Sequence, residues 1–159
     1  MKKIFLTLFG AALALSFGAL TAWAQTGTVA KGPDVSVARD PEVERRSKKS
    51  LDAAWHYFKL KKAYLASLDR AEEILVDNPQ FSKLDEALYI AGMSSIYLSE
   101  GKGKQRPPAS PPEKAQEYTT ERLRAAARFN LSRLVEEFPD SKFRKDAEKT
   151  LALLGGEKQ

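Results

Sequence analysis

At 159 residues, 43 % apolar and 30 % charged, the chain has room for one packed domain and lacks the composition of a disordered protein. It contains no cysteine, which excludes a disulfide scaffold, a thiolate metal site, a thiol nucleophile and a lipid-modified cysteine within these residues. The net charge of +5 includes Lys2 and Lys3 and comes in no long basic block, so nucleic acid is not an expected partner.

Residues 1–24 read as an export signal. Lys2 and Lys3 form a basic start, Ile4 to Leu20 is almost unbroken apolar, and Ala22-Trp23-Ala24 offers small residues to a signal peptidase. The competing reading is an uncleaved anchor, since the apolar stretch is just long enough to span a bilayer. Residues 25–39 mix Gly, Thr, Ser, Val and Asp without helical period and read as a flexible leader.

A helical domain is expected over residues 40–156. Asp40-Pro41 opens its first helix, because Asp accepts from first-turn N–H groups and proline is tolerated at the first helical position. Leu51, Ala54, Trp55 and Phe58 then share one face. A second helix is expected from about Lys62 to Asp77, with Tyr64, Leu68, Ala71 and Leu75 as its stripe and Asn78-Pro79 as its end. Ser82 and Asp85 resemble a capping box for a third. Its apolar face is Leu84, Ala87, Leu88, Ala91, Ser95 and Leu98. Gly92 inside it costs about 1 kcal/mol relative to alanine and implies close approach of a neighbouring helix.

Glu100 to Pro112 holds two glycines and four prolines and reads as a surface loop. A fourth helix is expected from about Pro112 to Phe138, on a stripe of Tyr118, Leu123, Ala127, Leu131 and Leu134. A fifth follows a cap at Asp140 or Ser141, carries Phe143, Ala147, Leu151 and Leu154, and stops at Gly155-Gly156. No segment alternates as a strand does.

Two of these helix ends match. Ser67, Ala71, Ile74 and Pro79 stand at the same offsets as Ala127, Leu131, Leu134 and Pro139. This resembles the second helix of a tetratricopeptide repeat, and Leu88-x-x-Ala91-Gly92 resembles the opening of the first. Trp55 stands where such repeats have a small residue. The prolines lie 60 residues apart, against about 34 in a regular array, so the Gly/Pro loop and a lengthened fourth helix read as an insertion. The expected class is all-α, with two tetratricopeptide-like antiparallel pairs and a C-terminal capping helix. A plain helical bundle is the alternative.

Tyr57-Phe58-x-Leu60-Lys61-x-x-Tyr64, then Arg70-Ala71-x-x-Ile74-Leu75 and Asn78-Pro79, resemble the repeats of the BamD family. Leu88-Tyr89 and Val135 to Ser141 are in the same style, and the latter run also resembles Tol-associated periplasmic proteins. The BamD family comprises periplasmic lipoproteins of the outer-membrane β-barrel assembly machinery. The resemblance covers about Leu51 to Leu154. It implies a short relative without the lipidated cysteine, placed in the periplasm and peripheral to the outer membrane, with envelope proteins or assembly components as partners.

Catalytic signals are absent from the sequence. His56 is the single histidine, so no His pair exists for zinc. There is no Gly-x-Ser-x-Gly elbow, and Gly101-Lys102-Gly103-Lys104 lacks the spacing of a phosphate loop. No cofactor and no enzyme activity are expected.

A tetratricopeptide array lines its concave face with the outward residues of each first helix. Here the resemblance gives His56, Lys59 and Leu60, then Tyr89, Met93, Ile96 and Tyr97, then Arg144 and Glu148. His56, Lys59, Tyr89, Met93, Ile96 and Tyr97 are the expected partner-binding residues. The last four form a second apolar strip on a helix whose core stripe is already complete. Packing of Ile96 and Tyr97 under the 100–112 loop is the alternative. The functional expectation is an exported adaptor that holds a partner segment in this groove. The other reading is a small self-associating envelope protein.

Overall fold

The computed structural model describes residues 40–108 and 111–156. The expected export signal and leader lie outside them. The described residues fall in one compact unit. Its described residues are helical, with no strand among them: α1 (Pro41–Trp55), a π-helical turn (His56–Lys61), α2 (Tyr64–Asp77), α3 (Leu84–Ser99), α4 (Pro112–Glu117), α5 (Thr120–Glu137) and α6 (Arg144–Gly156).

Asp40 caps α1 as expected, its carboxylate accepting from the Glu42 N–H at 2.8 Å. The chain then winds through the π turn and reverses at Lys62, whose φ of 49° is left-handed. Leu51 and Ala54 of α1 meet Leu68, Ala71 and Ile74 of α2 in the core. Buried Ser67 donates to the Ala54 carbonyl at 3.0 Å, so the small residue marks a close crossing.

A 60-residue repeat appears in the backbone itself. After α2, Asn78, Phe81 and Leu84 donate to the carbonyls of Ile74, Asn78 and Phe81. After α5, Phe138, Ser141 and Arg144 donate to those of Leu134, Phe138 and Ser141. Every donor and acceptor is displaced by the same 60 residues as the two prolines. The pairs are α1 with α2 and α3 with α5, followed by α6.

α3 is the central helix. It is apolar nearly all round, as a helix packed on several sides must be. Leu84, Leu88, Ile90, Ala91, Met93 and Leu98 are buried. A Cβ on Gly92 would lie 2.6 Å from Leu131 Cγ, so α5 approaches the bare backbone there.

Three boundaries differ from expectation. The Ser82–Asp85 capping box does not form. The Ser82 N–H donates instead to Glu44 of α1 at 3.2 Å, and Asp85 accepts from Ser141 at 2.7 Å. Both groups are taken by longer-range partners that tie the helices together. The fourth helix is two helices, because Thr119 adopts extended backbone and caps α5 through the Arg122 N–H. Gly155 and Gly156 end α6 from within its last turn.

The 100–108 segment docks on the start of α2. Lys104 N–H donates to the Lys62 carbonyl at 3.0 Å, and the Gln105 side chain accepts from Ala66 N–H at 3.0 Å. A residue 39 positions away thus supplies the first-turn acceptor that α2 lacks locally. Gly103 sits at φ 100°, with Tyr64 and the Lys62 carbonyl under 3 Å from where a Cβ would stand.

Candidate interaction surface

The first helices of the repeats, α1, α3 and α6, meet through aromatic rings. Trp55 closes α1 and lies 6.2 Å from Tyr89 of α3 and 5.7 Å from Phe143 at the start of α6. Tyr89 and Phe143 stack at 4.4 Å and 18°. The row continues from Trp55 to Phe58 at 5.9 Å, to Tyr97 at a further 5.7 Å and to Tyr64 at 4.6 Å. Each of these rings is half-buried. Offset and edge contacts of this kind add to the apolar burial.

Polar locks hold the rings. The Trp55 indole N–H donates to Glu86 at 2.8 Å. Glu86 is flanked by Lys83 at 3.6 Å and Lys142 at 3.7 Å. The Tyr89 hydroxyl donates to Asp146 at 2.5 Å. Burial first, then this bond and the Asp146 charge, push the Tyr89 phenol well above its ordinary range. Burial, then neighbouring Tyr64, raise Tyr97 as well. Three lysines stand over ring faces: Lys59 over Trp55 at 4.1 Å, Lys142 over Phe143 at 4.8 Å and Lys102 over Tyr97 at 5.5 Å.

Of the expected partner-binding residues, Tyr89, Tyr97 and Lys59 come together in this row. His56 is exposed beside it, its ring edge-on to Tyr57 at 6.0 Å. Met93 and Ile96 do not line an open face. Both are 8 % exposed. Ile96 packs with Ala127 and Leu154, and Thr150 of α6 lies 3.8 Å from the Met93 sulfur. The Met93 and Ile96 part of the second strip is therefore core, covered by α6 together with Ala127 of α5. Tyr97 follows the loop alternative in part, with Lys102 above it, while Ile96 does not. Of the remaining groove residues, Arg144 and Glu148 pair with each other at 2.8 Å, and Leu60 is 72 % exposed.

Trp55 and Phe143 were expected only as core-stripe residues, yet they span the three helices. The usable signal was Trp55 itself, a large ring where such repeats have a small residue. Glu86 and Asp146 were not expected at all. Each lies three residues from a ring, Glu86 from Tyr89 on α3 and Asp146 from Phe143, which immediately precedes α6.

A family profile described as YfiO, outer membrane lipoprotein, matches residues 35–156. The chain belongs to that family. The match takes in every described helix and both halves of the aromatic row, from Trp55 to Phe143. YfiO membership supports an envelope setting and an interaction role connected with outer-membrane protein assembly. No curated protein and no solved structure matches the chain significantly.

Proposed function

We propose that this chain is a non-catalytic adaptor, exported to the periplasm, that holds a segment of an outer-membrane assembly component against the row Trp55–Tyr89–Phe143. The observation carrying this reading is that three first helices contribute half-exposed rings whose polar ends are already engaged within the chain. Aromatic side chains dominate binding energy at interfaces. Rings fixed before binding lose little freedom on binding, which preserves affinity. Lys59 and Lys142 border the row and suit carboxylates on the incoming segment. The partner rests on a shallow aromatic surface, because α6 already occupies the strip of Met93 and Ile96.

The test is photo-crosslinking from position 56 in residues 25–159, mixed with envelope extract. Recovery of β-barrel precursors or barrel-assembly subunits, lost in Lys59→Glu/Lys142→Glu, supports the adaptor. Both substitutions change exposed side chains, and an unchanged melting curve verifies that the variant folds. Recovery of only its own copies overturns the adaptor and supports the self-associating structural protein.

A further inference from the structure

The end of the unit opposite the α1 cap gathers an unusual share of its charge. The π turn and Lys62 bring Lys59, Lys61 and Lys62 to this end. The 100–106 segment, pinned there by Lys104 N–H to Lys62 O at 3.0 Å, adds Lys102, Lys104 and Arg106. The only carboxylate in these two segments is Glu100, paired with Lys102 at 2.7 Å. Six cations against one carboxylate give a net +5, the formal charge of the whole 159-residue chain, so the remaining residues sum to zero. All six cations are exposed. Among the described residues, Lys61, Lys62, Lys104 and Arg106 make no ion pair. Leu60 projects in their midst, 72 % exposed.

We propose that this pole is a docking surface for an anionic lipid membrane. Four to eight lysines and arginines clustered at one end are the number that holds a protein to acidic lipid headgroups. An apolar side chain set among them enters the headgroup layer, which a charge-only surface does not do. The cations sit on a turn and a loop, all exposed, with exposed Leu60 among them, a mix of charge and apolar surface that suits a lipid headgroup layer better than an acidic peptide. Within these residues, which hold no cysteine to carry a lipid, the pole supplies a membrane contact from side chains alone. It adjoins the aromatic row, over whose Trp55 and Tyr97 rings Lys59 and Lys102 lie, and its other four cations stand whether or not that row binds an assembly component.

The experiment uses residues 25–159, which contain the entire compact unit and omit the apolar stretch that partitions into lipid by itself. Sedimentation is measured with phosphatidylglycerol vesicles and with phosphatidylcholine vesicles. Binding to the first and not the second is expected, falling steeply with added salt. Lys61→Gln/Lys62→Gln/Lys104→Gln is expected to weaken it about a hundred-fold, or roughly five-fold per charge. Leu60→Ser is expected to weaken it several-fold and leave the salt dependence intact. All four positions are exposed, and an unchanged melting curve verifies that the variants fold. No binding to phosphatidylglycerol, or equal binding by the triple variant, overturns the proposal. So does polyglutamate bound as tightly as the vesicles with Leu60→Ser silent, which identifies an acidic polypeptide as the ligand.

Discussion

At the scale of single residues, Gly92 shows how a local cost secures a global contact. Glycine in mid-helix sacrifices about 1 kcal/mol relative to alanine. Gly92→Ala recovers that, but its Cβ lands 2.6 Å from Leu131 Cγ and 2.7 Å from Cδ2 in a fully buried interface. Overpacking a core costs about 1–3 kcal/mol, and Leu131 is held on all sides, so the clash outweighs the propensity. Gly92→Ala is expected to lower the denaturation midpoint. Added to Leu131→Ala, which frees the space, it is expected to be neutral or stabilising. Equal loss in both backgrounds sinks the packing account. The glycine and its purpose were legible in the sequence, although its contact, Leu131, was not.

Tyr89 makes a second residue-scale prediction. Its phenol titrates higher folded than unfolded, so the folded state keeps a proton that the unfolded state releases near its ordinary value of 10.0. A raised folded value means stability present below that pH and lost as pH rises through it. Melting temperature is expected to fall above about pH 10, with a weaker fall in Tyr89→Phe. Near neutral pH that variant loses about 0.5–1.5 kcal/mol for the hydrogen bond to Asp146. Identical alkaline profiles for the two proteins refute the assignment to Tyr89.

At the scale of elements, the helices with clear stripes were legible and their junctions were not. Tyr64, Leu68, Ala71 and Leu75 announce α2, although Ile74 beside that stripe is the residue fully buried and Leu75 only partly so, and Leu123, Ala127, Leu131 and Leu134 announce α5. The break between α4 and α5 falls where the apolar stripe skips from Tyr118 to Leu123, five residues instead of the three or four of a continuous helix. Thr119, an N-cap residue, was the overlooked signal. The Gln105 cap on α2 has no local signature, since its partner is 39 residues away. That cap predicts a local effect. Gly103→Ala places a Cβ against Tyr64 and the Lys62 carbonyl at a left-handed φ, so the loop must undock and Gln105 leaves Ala66. Hydrogen exchange is expected to speed up in the first turn of α2 and in residues 100–106. The amides of α3 and α5 are expected to stay protected, because the segment lies outside their core. Uniform acceleration across all helices means that the loop is part of the core and contradicts this reading.

At the scale of the molecule, the 60-residue repeat was readable from paired small residues and prolines, and the backbone hydrogen bonds repeat with it. The occupant of the second strip on α3 was not readable. Periodicity shows that a face is apolar, without saying whether a partner or a later helix of the same chain covers it. Here α6 covers Met93 and Ile96, and that assignment can be tested by removing α6. A chain ending at Asp140 uncovers both side chains. Their burial is worth about 3–6 kcal/mol together, a large part of the ~5–15 kcal/mol that holds a domain folded. It also leaves Trp55 and Tyr89 without Phe143. The truncated protein is expected to melt at much lower temperature and to elute as larger species on size exclusion, the bared strip joining copies. Met93→Lys/Ile96→Lys in the truncated chain is expected to restore the monomer, whereas in the intact chain it buries two charges and unfolds the domain. A truncated chain that stays monomeric and melts near the intact protein shows that α6 is an appendage, and returns the strip of Met93 and Ile96 to the partner surface.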